Sequence, residues 1–186
     1  MRKIYLSLSL LLAGMGLTNA QRVCGTMDHY QMLMNQDPSY AQRIEQIEEH
    51  TRQIINNGGE RVVVNIPVVF HVVYKTSAQN ISDALLQAQL DQLNQDFRKL
   101  NSDASLVPAL FSGLAADMEI NFCLAQQTPT GAATTGIVRK LTTVTSFSDN
   151  DAVKYSSSGG DNAWDATKYL NLWVCNMSGG ILGYAQ

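Results

Sequence analysis

Residues 66–74 read Ile66-Pro67-Val68-Val69-Phe70-His71-Val72-Val73-Tyr74, and this stretch decides the fold. From Val68 onward the chain is apolar at both odd and even positions except at His71, which indicates a strand covered on both faces. Because proline cannot donate a hydrogen bond to a neighbouring strand, Pro67 is expected to mark the start of the strand. His71 is expected to be a core histidine whose ring nitrogens are satisfied.

The sequence after this strand alternates between helix and strand patterns. Ser82 is the predicted N-cap of a helix with one apolar face, and a short helix is predicted from Asp161 to about Lys168. The apolar face comprises Leu86, Leu90, Leu93 and Phe97, opposite a side expected to face water that comprises Gln87, Asp91, Asn94 and Arg98. Further strands are predicted over residues 118–125, 136–141, 170–175 and 181–186. This alternation predicts an α/β fold, a twisted mixed sheet with helices packed on it.

The residues before this sheet, 21–61, form a different kind of segment. After a flexible start, Asp37 is the predicted N-cap of a helix and Pro38 its first residue. Apolar residues then recur at helical spacing, at Tyr40, Ile44, Ile47 and Ile54. A single stripe cannot build a core alone, so this helix is expected to lie against the domain that follows.

The first 20 residues have the pattern of a secretory signal peptide. Arg2 and Lys3 precede a mostly apolar run, and Ala20 ends a group of small residues at the expected cleavage site. The alternative, a membrane anchor, is disfavoured because the run is shorter than the roughly 20 residues that span a bilayer. The sequence therefore predicts a secreted protein with no membrane association after signal removal.

Composition and cysteine count narrow the function further. The chain has 13 basic and 16 acidic residues, a formal net charge of −3. This mild acidity offers no positive surface for nucleic acid, so no nucleic-acid partner is predicted. Three cysteines, Cys24, Cys123 and Cys175, leave at least one without a partner inside the chain.

The chain by itself contains no complete active site. None of its three histidines lies in an H-E-x-x-H motif, and neither a G-x-S-x-G elbow nor a P-loop is present. His50 is expected to be solvated on the polar flank of the N-terminal helix. The polypeptide as it stands is therefore expected to be catalytically inactive.

Cys24 is the residue whose chemistry most clearly suggests a function. It follows the signal peptide closely, and Gly25 beside it allows the backbone to approach a surface. A thiolate binds zinc at about 2.3 Å, so a tethered cysteine can plug a zinc site and displace its water. The alternative is a free or disulfide-bonded cysteine without such a role.

Residues 181–186 begin an apolar strand for which no partner follows in the sequence. A finished domain is not expected to halt inside such a strand. The chain is therefore expected to be the front part of a longer protein that continues past Gln186.

Six stretches in the same order resemble the bacterial members of the pappalysin family of zinc metallopeptidases, the ulilysin and mirolysin type within the metzincins. The matching stretches are residues 66–74, 90–98, 116–125, 135–139, 159–165 and 168–186. The resemblance implies a signal peptide over 1–20, a propeptide over 21–61 and the N-terminal subdomain of a catalytic domain over 62–186. It also implies zinc, held by a histidine-rich helix beyond Gln186, and calcium in some relatives. In this family a Cys-Gly segment of the propeptide acts as a switch, which makes Cys24 the candidate zinc ligand of the zymogen.

The resemblance assigns roles to further residues. The strand over 181–186 would form the upper edge of the substrate cleft, so Gly183, Tyr184 and Ala185 are candidate contacts for a protein or peptide substrate; the alternative is an ordinary edge strand. Arg52 and Arg61 are candidate activation cleavage sites. Cys123 and Cys175 are not expected to pair, because the family's strand order separates their strands.

The function predicted for the full-length protein is peptide-bond hydrolysis by zinc-activated water in a secreted endopeptidase zymogen. The competing hypothesis is a secreted, non-catalytic α/β binding or adhesion domain that ends near Gln186. A third alternative is an inactivated relative that has lost its zinc half. The coding DNA after Gln186 distinguishes them, because an H-E-x-x-H codon run supports the enzyme and an immediate stop codon supports the others.

Overall fold

A computed structural model describes residues 23–58 and 62–185. Its helices are α1 (Thr26–Gln36), α2 (Pro38–Asn57) and α3 (Asp83–Phe97). Its strands are β1 (Val23–Cys24), β2 (Val64–Tyr74), β3 (Ile120–Leu124), β4 (Ile137–Leu141), β5 (Leu170–Val174) and β6 (Ile181–Gly183). Short 3₁₀ turns span Ser77–Gln79, Ala104–Leu106, Ala109–Phe111, Ala152–Lys154 and Ser156–Ser158. The α/β prediction is confirmed.

Strand β2 is the centre of the main sheet, and β3, β4 and β5 all pair with it in parallel. Val68 pairs with Leu124 of β3 and also with Leu170 of β5, so these two strands lie on opposite edges of β2. Strand β4 continues along the edge that β3 occupies. The named strands pair only in parallel within the described residues, whereas the sequence predicted a mixed sheet; the antiparallel contact there is the isolated bridge between Gln127 and Ala133.

Pro67 lies inside β2, which corrects the prediction that it marks the start of the strand. The ladder with β3 begins at Val64, whose N–H donates to the Glu119 carbonyl at 2.9 Å. Since alternate residues of a strand address opposite edges, Pro67 faces the β5 edge. Pairing with β5 starts only at Val68, so the missing N–H costs no ladder hydrogen bond.

Both faces of β2 are covered, as its sequence predicted. Residues 68–73 are all buried. On one face Val68, Phe70 and Val72 pack with Leu86 and Leu90 of α3 and with Phe122 of β3. On the other face Val73 packs with Phe147 and Val153 from the long loop before β5. Burial of this apolar surface is the main stabilising contribution to the fold.

Helix α3 begins at its predicted N-cap, where the Ser82 side chain accepts a hydrogen bond from the Leu85 N–H. Its polar side was predicted to face water, but Asn94 and Arg98 on that side form hydrogen bonds within the protein. Asn94 donates to the Phe122 carbonyl at 2.9 Å and accepts from the Phe122 N–H at 2.6 Å. Arg98 donates to Asp117 at 2.9 Å. Asn94 therefore attaches the helix to β3 by satisfying backbone groups at the free edge of that strand, and Arg98 attaches it to the segment just before β3.

His71 is the satisfied core histidine that the sequence predicted. Its side chain is fully buried, with Nδ1 2.6 Å from Asp161 Oδ2 and Nε2 3.0 Å from Asn171 Oδ1. This arrangement also explains why the predicted helix from Asp161 to Lys168 is wrong. The Asp161 carboxylate binds His71 instead of capping a helix, and only a turn forms at residues 166–168.

The described N-terminal segment contains β1 followed by two helices, which corrects the prediction of a flexible start. Helix α1 covers residues expected to be irregular, and α2 follows with Asp37 as N-cap and Pro38 at its start, as predicted. By burial, the expectation that α2 lies against the domain that follows is wrong. None of its 20 residues is buried, and Ile47 is 61 % exposed.

Of the helices in the described part of the chain, none is long and apolar enough to span a bilayer. The signal-peptide prediction for residues 1–20 lies outside the described residues, as do Arg61 and Gln186.

Candidate functional site

Strand β1 lies along β6 and forms a two-stranded parallel sheet with it. The Val23 N–H donates to the Gly180 carbonyl at 3.3 Å, and the Gly25 N–H donates to the Gly183 carbonyl at 3.0 Å. Cys24 pairs with Gly183 in the register. The described ladder of β6 is therefore with the N-terminal segment and not with the main sheet.

Gly25 allows this close approach. A β-carbon at this position would lie 3.2 Å from Cγ2 of Ile181 and 3.6 Å from Oδ2 of Asp149. Gly25 also starts α1, because its carbonyl accepts the His29 N–H at 2.9 Å. One residue thus links the strand on β6 to the helix that follows.

Thr26 makes two contacts at the end of this pairing. Its Oγ1 accepts the Ala185 N–H at 3.1 Å and lies 3.2 Å from Sγ of Cys24. The hydrogen bond from the Thr26 side chain, followed by that from its backbone, lowers the pKa of the Cys24 thiol. The thiol is exposed, and a lowered pKa makes its thiolate more accessible than that of an ordinary cysteine, which is the direction expected for a metal ligand or nucleophile.

The residues predicted to contact substrate meet the N-terminal segment here. The Gly183 carbonyl and the Ala185 N–H are bonded to Gly25 and Thr26. The Tyr184 hydroxyl donates to Asp151 Oδ1 at 3.1 Å, and burial followed by the Asp151 charge raises the pKa of Tyr184. The structure thus brings Cys24 and the 183–185 segment into one site, although the sequence suggested the two for separate roles.

His29 is the residue of this site that sequence reasoning missed. It is 1 % exposed, and its Nδ1 lies 2.6 Å from the Asp149 carbonyl. Its Nε2 lies 3.5 Å from Asp151 Oδ2, and its ring is 4.5 Å from the Tyr184 ring between centroids. A histidine five positions after a candidate metal cysteine, in a stretch rich in methionine, was the available signal.

The described residues contain no group of three or more His, Cys, Asp or Glu side chains that could hold a metal ion. Lys154 forms an ion pair with Asp151 beside this site, with its Nζ 2.7 Å from Asp151 Oδ1.

Of the remaining predicted residues, Cys175 lines the same cavity as Gly183, Tyr184 and Ala185. Arg52 is exposed on α2 with its Nε 3.2 Å from Glu49 Oε2, and Arg61 is outside the described residues. Cys123 and Cys175 are both free thiols, in accordance with the expectation that they do not pair. Burial raises the pKa of Cys175 to about 11, which disfavours its thiolate form.

Solved structures similar to this chain identify its family. Mirolysin in complex with a small compound is 50 % identical with a TM-score of 0.65, and Tannerella forsythia mature mirolysin in complex with a cleaved peptide is 48 % identical with a TM-score of 0.66. Each match covers 68 % of this chain and 47 % of the other. A mutant of Tannerella forsythia promirolysin is 43 % identical with a TM-score of 0.74, over 89 % of this chain and 54 % of the other.

This chain belongs to the mirolysin-like metallopeptidases of the pappalysin family. The resemblance predicted from six stretches of sequence is confirmed. The chain spans about half the length of the mirolysin structures and corresponds to their N-terminal portion. Comparison with protein-family models and with curated proteins gave no match.

Proposed function

We propose that this chain is the N-terminal part of a secreted, zinc-dependent endopeptidase zymogen. Residues 1–20 are the signal peptide, 21–61 the propeptide and 62–186 the N-terminal subdomain of the catalytic domain, before the zinc-binding helix. The observation that carries this proposal is the pairing of β1 with β6. The rise in matched length from 68 % with mature mirolysin to 89 % with promirolysin supports a propeptide at the N-terminus.

The pairing explains latency through competition for the same backbone groups. An extended peptide binds an exposed strand by main-chain hydrogen bonds. The carbonyls of Gly180 and Gly183 already accept hydrogen bonds from the N-terminal segment, and Thr26 accepts the Ala185 N–H. A substrate can use these groups only after the segment has left. A mature mirolysin structure holds a cleaved peptide, which supports peptides or proteins as the substrate class.

Zinc is the metal of this proposal, and the chemistry of Cys24 fits it. The thiol is exposed and its pKa is lowered, which eases formation of the thiolate, the form that zinc binds. When bound, zinc supplies an activated water for peptide-bond hydrolysis. In the zymogen Cys24 would hold that coordination position. Calcium, which the resemblance also allowed, has no support in the described residues.

Activation requires a cut between the two parts of the chain. Arg52 and Arg61 are the proposed sites, and Arg52 is accessible because α2 buries no residue. Trypsin-like digestion of the full-length precursor should activate it with cleavage at one of these arginines. Activation without cleavage at either would remove both from the proposal.

The test of the switch is Cys24→Ala in the full-length precursor. We expect faster activation, because the thiolate no longer competes with water for the metal. Cys123→Ala is the matched control, since Cys123 is also an exposed free thiol but lies in β3. Unchanged latency of Cys24→Ala would contradict the assignment. The present chain, supplied with zinc, should show no peptidase activity; activity inhibited by phenanthroline would contradict its proposed incompleteness.

A further inference from the structure

His29 is a buried polar anchor at the boundary between the N-terminal segment and the sheet domain. It is the one buried residue of α1, and its hydrogen-bond partner Asp149 lies 120 residues away in sequence. Because the Asp149 carbonyl can only accept, Nδ1 donates the hydrogen bond at 2.6 Å. Nε2 lies 3.5 Å from Asp151 Oδ2 and has no hydrogen-bond partner among the described residues, so the bond to the Asp149 carbonyl is the one that anchors the ring.

The pocket that receives His29 is built by the sheet domain itself. Asp151 has a left-handed backbone, with φ of 65°, and its Oδ1 is held by Lys154 at 2.7 Å and by the Tyr184 hydroxyl at 3.1 Å. With Oδ1 occupied in this way, Oδ2 of Asp151 points toward His29, and the Tyr184 ring lies against the imidazole. The pocket therefore offers a carbonyl, a carboxylate and an aromatic ring to a planar donor side chain.

We propose that the 149–151 loop and Tyr184 form an imidazole-binding pocket that docks α1 through His29. This docking rests on the proposed propeptide function and adds a second attachment point, distinct from the bond between Cys24 and a metal. His29 acts as a positioning residue. Its own N–H donates to the Gly25 carbonyl, so a fixed His29 also fixes the start of α1 and the register of β1 on β6.

The experiment measures amide hydrogen exchange by NMR in the present chain, without added metal. The reporters are the N–H groups of Gly25 and Ala185, which bridge the N-terminal segment and β6. His29→Phe keeps a planar ring but cannot donate to the Asp149 carbonyl. Loss of a buried hydrogen bond predicts about tenfold faster exchange at both reporters. His50→Phe is the matched control, because His50 is exposed on α2, and it should leave both rates within about twofold of the wild type.

A second variant distinguishes the loss of the hydrogen bond from a general disturbance of the fold by the ring substitution. His29→Asn places an amide N–H near the position of Nδ1 and should retain most of the protection, with His50→Asn as its control for helix propensity. Equal exchange in His29→Phe, His29→Asn and the wild type would overturn the docking role. Equal loss of protection in both His29 variants would also overturn it. Neither readout depends on zinc or on peptidase activity, so the pocket can fail while the Cys24 switch stands, and the reverse.

Discussion

The two described regions, residues 23–58 and 62–185, are stabilised in different ways. In the second region six consecutive residues of β2 are buried, whereas in the first the 20-residue helix α2 buries none. The N-terminal segment is held on β6 and on the 149–151 loop by short strand pairing, by Thr26 and by His29. A segment attached in this way can leave without opening the core, which is what a removable propeptide requires.

The largest difference in the free energy of unfolding is expected when a large side chain is truncated in each region. Phe70→Ala should cost about 3–5 kcal/mol in the free energy of unfolding, because Phe70 is 2 % exposed between α3 and β3. Ile55→Ala on α2 should change it by less than about 0.5 kcal/mol, because Ile55 is 73 % exposed. Urea denaturation measures both. Similar losses for the two variants would show that the N-terminal segment has a core of its own.

A smaller effect is expected when the hydrogen bonds between helix α3 and strand β3 are removed. Asn94→Ala leaves the N–H and carbonyl of Phe122 without their side-chain partner, and we expect a loss of about 2 kcal/mol. Gln89→Ala is the control, because Gln89 is exposed on the same helix. A loss no larger than that of the control would mean that water replaces Asn94 without cost.

The smallest effect concerns the cap of α2. The Ser39 side chain and then Arg43 lower the pKa of Asp37 to about 2. Because the folded-state pKa is depressed, the capping contribution is present above the ordinary aspartate value and is lost as the pH falls toward about 2. Exchange of the first α2 amides should therefore increase over that acidic range. Asp37→Asn should show no such pH dependence, and fraying that begins well above pH 4 (roughly the ordinary aspartate pKa) would contradict the assignment.

The sequence predicted well where local pattern and burial agree. The strand from Val68 to Tyr74 and the helix after Ser82 were identified because an unbroken apolar run and a capped apolar stripe have few other structural solutions. The predicted helix at 161–168 failed for a tertiary reason. Asp161 is a good N-cap residue by type, but its carboxylate is needed by a histidine 90 positions earlier.

Only part of the candidate site could be predicted from the sequence. Cys24 and the 183–185 segment were selected from residue type and family resemblance, whereas their contact with each other is a long-range pairing that no local pattern encodes. Helix α1 was missed because its N-cap residue is a glycine, Gly25, which supplies no side-chain cap. His29 was missed because its partners, Asp149 and Asp151, lie in a loop without a motif.

X-ray absorption spectroscopy at the zinc edge of the latent full-length precursor tests the central claim most directly. If the N-terminal segment seals the site with Cys24 while β1 occupies β6, the spectrum contains one sulfur ligand at about 2.3 Å. That ligand should be absent from Cys24→Ala and should disappear from the wild type on activation. A wild-type precursor with bound zinc but no sulfur ligand would contradict the account.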